Sequence, residues 1–122
     1  MTFRVELGTG WALLRLSGEI DAGWVHDQQE QLAKFFEVCP PLVVVDLEQV
    51  TFMDSSGLAL LARCVKVCND TQGEVVVARA KKGVRTAIEV VGLDQFVTLV
   101  DVPAEQVIGD MPSPDEALPD SV

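Results

Sequence analysis

No tyrosine occurs among the 122 residues of this chain, and the single histidine is His26. Basic residues are scarce: 9 Lys and Arg stand against 19 Asp and Glu, a net charge of -10. Each shortage removes a class of function. Tracking a phosphate backbone requires a basic surface, so the charge balance argues against nucleic acid. It argues equally against an anionic membrane. Cys64 and Cys68 stand i, i+4, but no further cysteine or paired histidine completes a tetrahedral metal site with them. With Cys39 they make an odd number of thiols, read as reduced and, for the helical pair, buried. No apolar run approaches the length of a membrane span, and "MTFRVELG" reads directly as a strand, so no signal peptide is expected. P-loop, G-x-G-x-x-G and G-x-S-x-G patterns are missing. What remains is an expected cytoplasmic, non-enzymatic protein without metal or cofactor, whose partner is a protein or a cation.

Hydrophobic residues, at 48%, suffice for one core in a chain of this length. Phe3, Val5 and Leu7 alternate with Arg4 and Glu6, which predicts a half-buried strand. Gly8-Thr9-Gly10 is turn chemistry, and "WALLRLSG" returns as a second strand, giving an N-terminal hairpin. Asp21 is positioned to cap a helix running from Trp24 to Val38, with Val25, Leu32, Phe35 and Phe36 inward and Pro40-Pro41 as its stop. "LVVVDL", residues 42–47, has no alternation, as in a strand covered on both faces. A helix over 55–70, a strand over 74–80, a helix with Val84, Ala87, Ile88 and Val91 inward, a strand over 96–102 and a short helix over 104–109 complete the order. Gly92 sits where a left-handed helix cap belongs. Strand–helix alternation after a hairpin predicts an α/β domain with a mixed, mostly parallel sheet of about five strands. The domain is expected over residues 1–110, followed by a disordered acidic, proline-containing tail at 111–122.

The chemistry concentrates at "TFMDSSGLALLARC", Thr51 to Cys64, where a strand passes into a helix. The first amides of a helix lack intrahelical partners, so a side-chain oxygen caps them. Either Asp54 or Ser55 can do so, which leaves a hydroxyl to spare. Gly57, without a Cβ, would let another surface approach. Arg63, Lys66 and Asp70 form a polar stripe along the helix, with Ser55 and Ser56 on opposite flanks of it. Read without context, D-S-S is also a set of redundant caps. A triad of Ser56, His26 and an aspartate is conceivable but lacks the nucleophile elbow, and Asp46 or Asp54 as a phosphate acceptor lacks the acidic pair of receiver domains. Arg79, Lys81, Lys82 and Arg85 form the one basic cluster.

"VVVDLEQVTFMDSSGLALLARC" resembles the signature of STAS domains, in particular the anti-sigma factor antagonists of bacteria. "SGEIDAG" and "GEVVVARAKKGVRTAIEVVGLDQFVTLV" extend the resemblance over about residues 3–108. It implies the STAS fold, with helices packed largely on one face of the sheet. It implies partner switching: the unphosphorylated protein holds an anti-sigma factor with serine kinase activity and frees a sigma factor. Phosphorylation of the serine before the glycine ends the contact, and a metal-dependent serine phosphatase resets it. By position the acceptor is Ser56, with Ser55 the alternative, and Asp21, Asp54, Ser55, Ser56, Gly57 and Arg63 belong to the partner surface. Ala59 departs from the family, where a second glycine is common, and "AGWVH" puts the bulky Trp24 near the expected interface. The oligomeric state stays open between a monomer and a weak dimer. A STAS subunit of a larger lipid-transport or stress-signalling assembly, and a small serine hydrolase using Ser56, are the competing expectations.

Overall fold

The computed structural model describes residues 3–109, so the expected tail at 111–122 lies outside the described residues. Five strands form one sheet: β1 (Phe3–Gly8), β2 (Trp11–Ile20), β3 (Leu42–Met53), β4 (Glu74–Ala78) and β5 (Thr98–Val100), in the spatial order of the chain. β1 and β2 pair antiparallel, and every later pair is parallel. β3 is central and twelve residues long, and its residues Val43 to Leu47 are buried on both faces, as the unbroken apolar run predicts.

Helices α1 (Ala22–Asp27), α2 (Gln29–Glu37), α3 (Ser55–Asp70) and α4 (Lys82–Val90) supply the larger core. There Trp24, Leu32, Phe35, Leu61, Cys64 and Ile88 meet Leu14, Val43, Val45 and Val77. Helix α5 (Ala104–Gly109) lies on the other face, where Ala104 packs with Leu13, Val44, Val76 and Ala78. That face also holds Asp46, 7% exposed. Its two carboxylate oxygens accept from Arg15 Nη1 at 3.0 Å and from the Glu48 amide at 3.0 Å. Arg15 pairs further with Glu6 and Glu105, tying β1, β2, β3 and α5 together.

Several boundaries differ from expectation. The single helix expected over Trp24–Val38 is two, broken at Gln28 (φ -102°, ψ 9°), with no proline or glycine to announce the break. β4 stops at Ala78 rather than Ala80 because Arg79 turns into the left-handed region (φ 54°), its amide bonding the Val100 carbonyl. The strand expected over 96–102 shrinks to Thr98–Val100. A 3-10 turn over Leu93–Gln95 precedes it, closed by the Phe96 amide on the Leu93 carbonyl, and leaves Phe96 exposed. Val91, expected inside, is the exposed last residue of the α4 region. Gly92 does take the left-handed conformation, φ 80°.

Trp24, the bulky residue of the segment expected near the interface, turns its ring into the core. It is 8% exposed and stands edge-on to Phe3, with ring centroids 6.0 Å apart, and its Nε1 has no hydrogen-bond partner among the described residues. Cys64 and Cys68 are buried as expected, and Cys39 approaches Cys68 with 3.9 Å between sulfurs. Burial raises all three thiols, Cys68 to about 12.

Candidate functional site: a free hydroxyl at the start of helix α3

β2 and β3 end side by side, and each delivers an aspartate to the start of a helix. Asp21 caps α1 by accepting from the Trp24 amide at 2.9 Å. Asp54 caps α3: one carboxylate oxygen accepts from the Ser56 amide at 2.8 Å and from the Gly57 amide at 3.4 Å. The Asp54 amide donates to the Ile20 carbonyl at 3.2 Å, which ties the two junctions together. Two orphan donors of α3 are therefore satisfied by Asp54. Neither the Ser55 nor the Ser56 hydroxyl is drawn into the cap or bonds another described residue.

The two hydroxyls have different surroundings. Ser55 is exposed. Ser56 is half-buried and lines a groove of about 220 Å³ with Val25, Gln29, Leu32, Ala59, Leu60 and Arg63. α1 and α2 form one wall of the groove and α3 the other. Arg63 is exposed, and its guanidinium sits 4.2 Å from the centroid of the Phe36 ring, which holds the charge over α2 at the groove's rim. The groove thus offers an apolar floor, one cation and one alcohol.

Of the residues picked out by sequence, Asp54, Ser56 and Arg63 come together here, with Asp21 at the neighbouring cap. Gly57 has an internal reason for lacking a side chain. A Cβ there would fall 2.4 Å from Met53 Cγ and 3.0 Å from both Ile20 Cγ2 and the Ile20 carbonyl oxygen, and the residue is buried. The close approach it permits is between α3 and the strand ends below, not with an outside surface. Val25, Gln29, Leu32, Ala59 and Leu60 were not anticipated as site residues. Val25 and Leu32 carried the inward periodicity of a core stripe, and nothing in that periodicity separates the core from a groove wall.

His26 is exposed and lines a different depression with Asp27, Gln29, Glu30 and Gln31, so Ser56 has no histidine in its groove. Asp46 is committed to Arg15 and Asp54 to its cap. In the basic cluster, Arg79 pairs with Glu48 at 3.6 Å, Arg85 with Glu89 at 3.6 Å, and Lys81 donates to the Glu48 carbonyl. Among the described residues no helix is long and apolar enough to cross a membrane.

A five-stranded sheet led by a hairpin, with a capped, serine-bearing helix start at the end of its central strand, defines a single α/β domain of the STAS type. The STAS domain family model matches residues 3–106, and the chain belongs to that family. The anti-sigma F factor antagonist of Paenibacillus polymyxa is 28% identical over 104 residues, covering 83% of this chain and 87% of that protein. An anti-sigma factor antagonist from Mycobacterium paratuberculosis shares the fold with a TM-score of 0.74 at 28% identity, over 89% of this chain and 94% of that one. SpoIIAA, an anti-sigma factor antagonist, has solved structures in its unphosphorylated and phosphorylated forms, each with a TM-score of 0.70 to this chain, at 20% and 22% identity. Each covers 88% of this chain, and 94% and 96% of the SpoIIAA chains are matched.

Proposed function

We propose that this chain is a non-enzymatic anti-sigma factor antagonist of the cytoplasm, switched by phosphorylation of Ser56. In the unphosphorylated state it seats an anti-sigma factor with serine kinase activity against the groove between α1, α2 and α3, and a sigma factor goes free. The kinase then moves the γ-phosphoryl group of ATP onto the Ser56 oxygen, leaving ADP, and the complex separates. A metal-dependent serine phosphatase restores the alcohol. The observation that carries this reading is the division of labour at the helix start. Asp54 takes the cap, so the Ser56 hydroxyl is unengaged while it faces an apolar groove. The antagonist names of its relatives, and the two phosphorylation states of SpoIIAA, support it.

The energetics favour a switch of the interface over a switch of the fold. A phosphate adds a charge of about -1.5 to -2. The helix N-terminus favours an anion by roughly 0.3–1 kcal/mol. Asp54 opposes it by about 1 kcal/mol per unit charge at ~4 Å in water-like surroundings. The opposition exceeds the gain by about 1 kcal/mol, small beside the roughly 5–15 kcal/mol stability of an ordinary domain, so the free domain tolerates the modification. Enclosing the same dianion beneath a partner costs several kcal/mol unless it is matched. At about 1.4 kcal/mol per tenfold in affinity, that separates the two surfaces.

Incubation with ATP and a candidate kinase, followed by intact mass and peptide mapping, tests the assignment. One phosphate on Ser56, lost in Ser56→Ala and retained in Ser55→Ala, is the expected result. Phosphate on Ser55, or none with a kinase that binds the chain, overturns it.

A further inference from the structure

The two edges of the sheet differ. β5 exposes only three residues, short enough to be a poor template. β1 is six residues long and pairs only with β2 among the described residues. Long edges are ordinarily blunted by proline, by charged side chains, above all lysine, by a bulge or by a covering element. β1 has no proline, its two charges, Arg4 and Glu6, are of opposite sign, and its register with β2 is unbroken from Phe3 to Gly8.

Both faces of this edge are unfinished. On the helix side, Val5 and Leu7 are 38% and 59% exposed, and Val38 at the end of α2 is 59% exposed. With Phe3, Lys34 and Phe35 they line an apolar groove of about 320 Å³. On the α5 side, Arg4 stands directly across from Arg15 in the β1–β2 register. Arg15 has Glu6, Asp46 and Glu105, whereas Arg4 has no ion-pair partner among the described residues. Two like charges face each other, and the outer one is unmatched.

We propose that β1 is the seam of a two-fold homodimer, pairing antiparallel with β1 of a second copy to make one continuous ten-stranded sheet. Charge selects both the occupant and the register. A two-fold axis perpendicular to the sheet keeps the helix faces on one side, so opposed residues must share a face and the axis passes through a residue. Centring on Arg4 opposes two arginines, and centring on Glu6 opposes two glutamates. Centring on Val5 opposes Arg4 of each copy to Glu6 of the other, and Phe3 to Leu7. This last register brings the unpaired arginine of each copy to Glu6 of the other, whose carboxylate it would share with Arg15, and lays apolar side chains against the open groove. The contact is isologous, as closed dimers require. The chain's charge of -10 opposes association in general, but at physiological salt it is screened beyond about 8 Å, and the strand itself is neutral. Gln31 and Lys34 of α2, with Val38 just past its end, border this seam while Gln29 and Leu32 border the Ser56 groove, so each copy keeps its own groove.

Sedimentation of the full chain from micromolar to millimolar concentration reads the seam directly. The wild type is expected to pass from monomer to dimer. Arg4→Glu and Glu6→Arg, at exposed positions, are each expected to raise the dissociation constant roughly tenfold by opposing like charges twice. The double swap, Arg4→Glu with Glu6→Arg, is expected to restore dimerisation, and Leu7→Glu to abolish it. A chain that stays monomeric throughout, single variants that dimerise as wild type does, or a double swap without rescue each overturn the proposal. Ser56 phosphorylation is not part of this readout, so its failure leaves the seam standing.

Discussion

The two capped junctions, Asp21-Ala22-Gly23 and Asp54-Ser55-Ser56-Gly57, solve the same local problem with different surroundings. Both aspartates follow adjacent strands, and both accept from amides two or three residues ahead. At the first, the cap serves a helix of six residues, and a Cβ on Gly23 would meet only Asp21 Oδ1 at 3.5 Å. At the second, the helix runs sixteen residues, Gly57 is pressed onto Met53 and Ile20, and two hydroxyls are left over. A helix start therefore needs the aspartate alone. The serine hydroxyls are surplus to the cap, which is what the proposed function draws on.

The sharpest way to break this comparison is charge at position 56. Ser56→Asp is predicted to unfold at the same denaturant concentration as wild type, yet to bind the proposed kinase partner orders of magnitude more weakly. Titration calorimetry showing wild-type affinity would sink the functional half of the contrast. The glycines come next, with opposite signs. Gly57→Ala is predicted to destabilise by about 1–3 kcal/mol through overpacking against Met53 and Ile20. Gly23→Ala, in open space on a helix, is predicted to stabilise by roughly 0.4–1 kcal/mol. Equal signs in urea melts would show that the packing difference is not real.

The caps themselves differ less. Asp54→Ala is predicted to cost about 1–2 kcal/mol, and Asp21→Ala, with one amide and a short helix at stake, about 0.5–1 kcal/mol. The reverse order in the same melts would contradict the ranking.

The smallest effect lies on the opposite face, away from both caps. Hydrogen bonding from Arg15 holds the exposed Glu105 carboxyl below its ordinary value. A depressed carboxylate contributes stability above the unfolded value, near pH 4, and loses it as pH falls through the folded one. The protection of α5 amides, taken relative to the intrinsic exchange rate at each pH, is predicted to fall on acidification below that point, and Glu105→Gln to remove this dependence.

Much of the fold was written locally. The apolar run of β3, the alternation of β1 and the glycine at position 92 each mark their element because backbone chemistry there depends on near neighbours. The break at Gln28, the early end of β4 at Arg79 and the burial of Trp24 were not legible. Each depends on what another segment brings, such as the Val100 carbonyl for Arg79 or the Phe3 ring for Trp24. The candidate site divides the same way. Asp54 and the serines stand out in the sequence, but only the placement of α1 and α2 beside α3 distinguishes Ser56, on the groove, from Ser55, facing solvent.

The buried ring of Trp24 has a practical consequence. Because tyrosine is missing, the near-ultraviolet emission of the chain comes from Trp11 and Trp24 alone. Trp24 is adjacent to Val25 in the groove wall, and its indole nitrogen bonds none of the described residues. A dianion arriving on the facing helix, or a second protein shutting out water, changes the field across that ring. Under the proposed function, the colour of its fluorescence would serve as a built-in gauge of the switch, readable without attaching a dye.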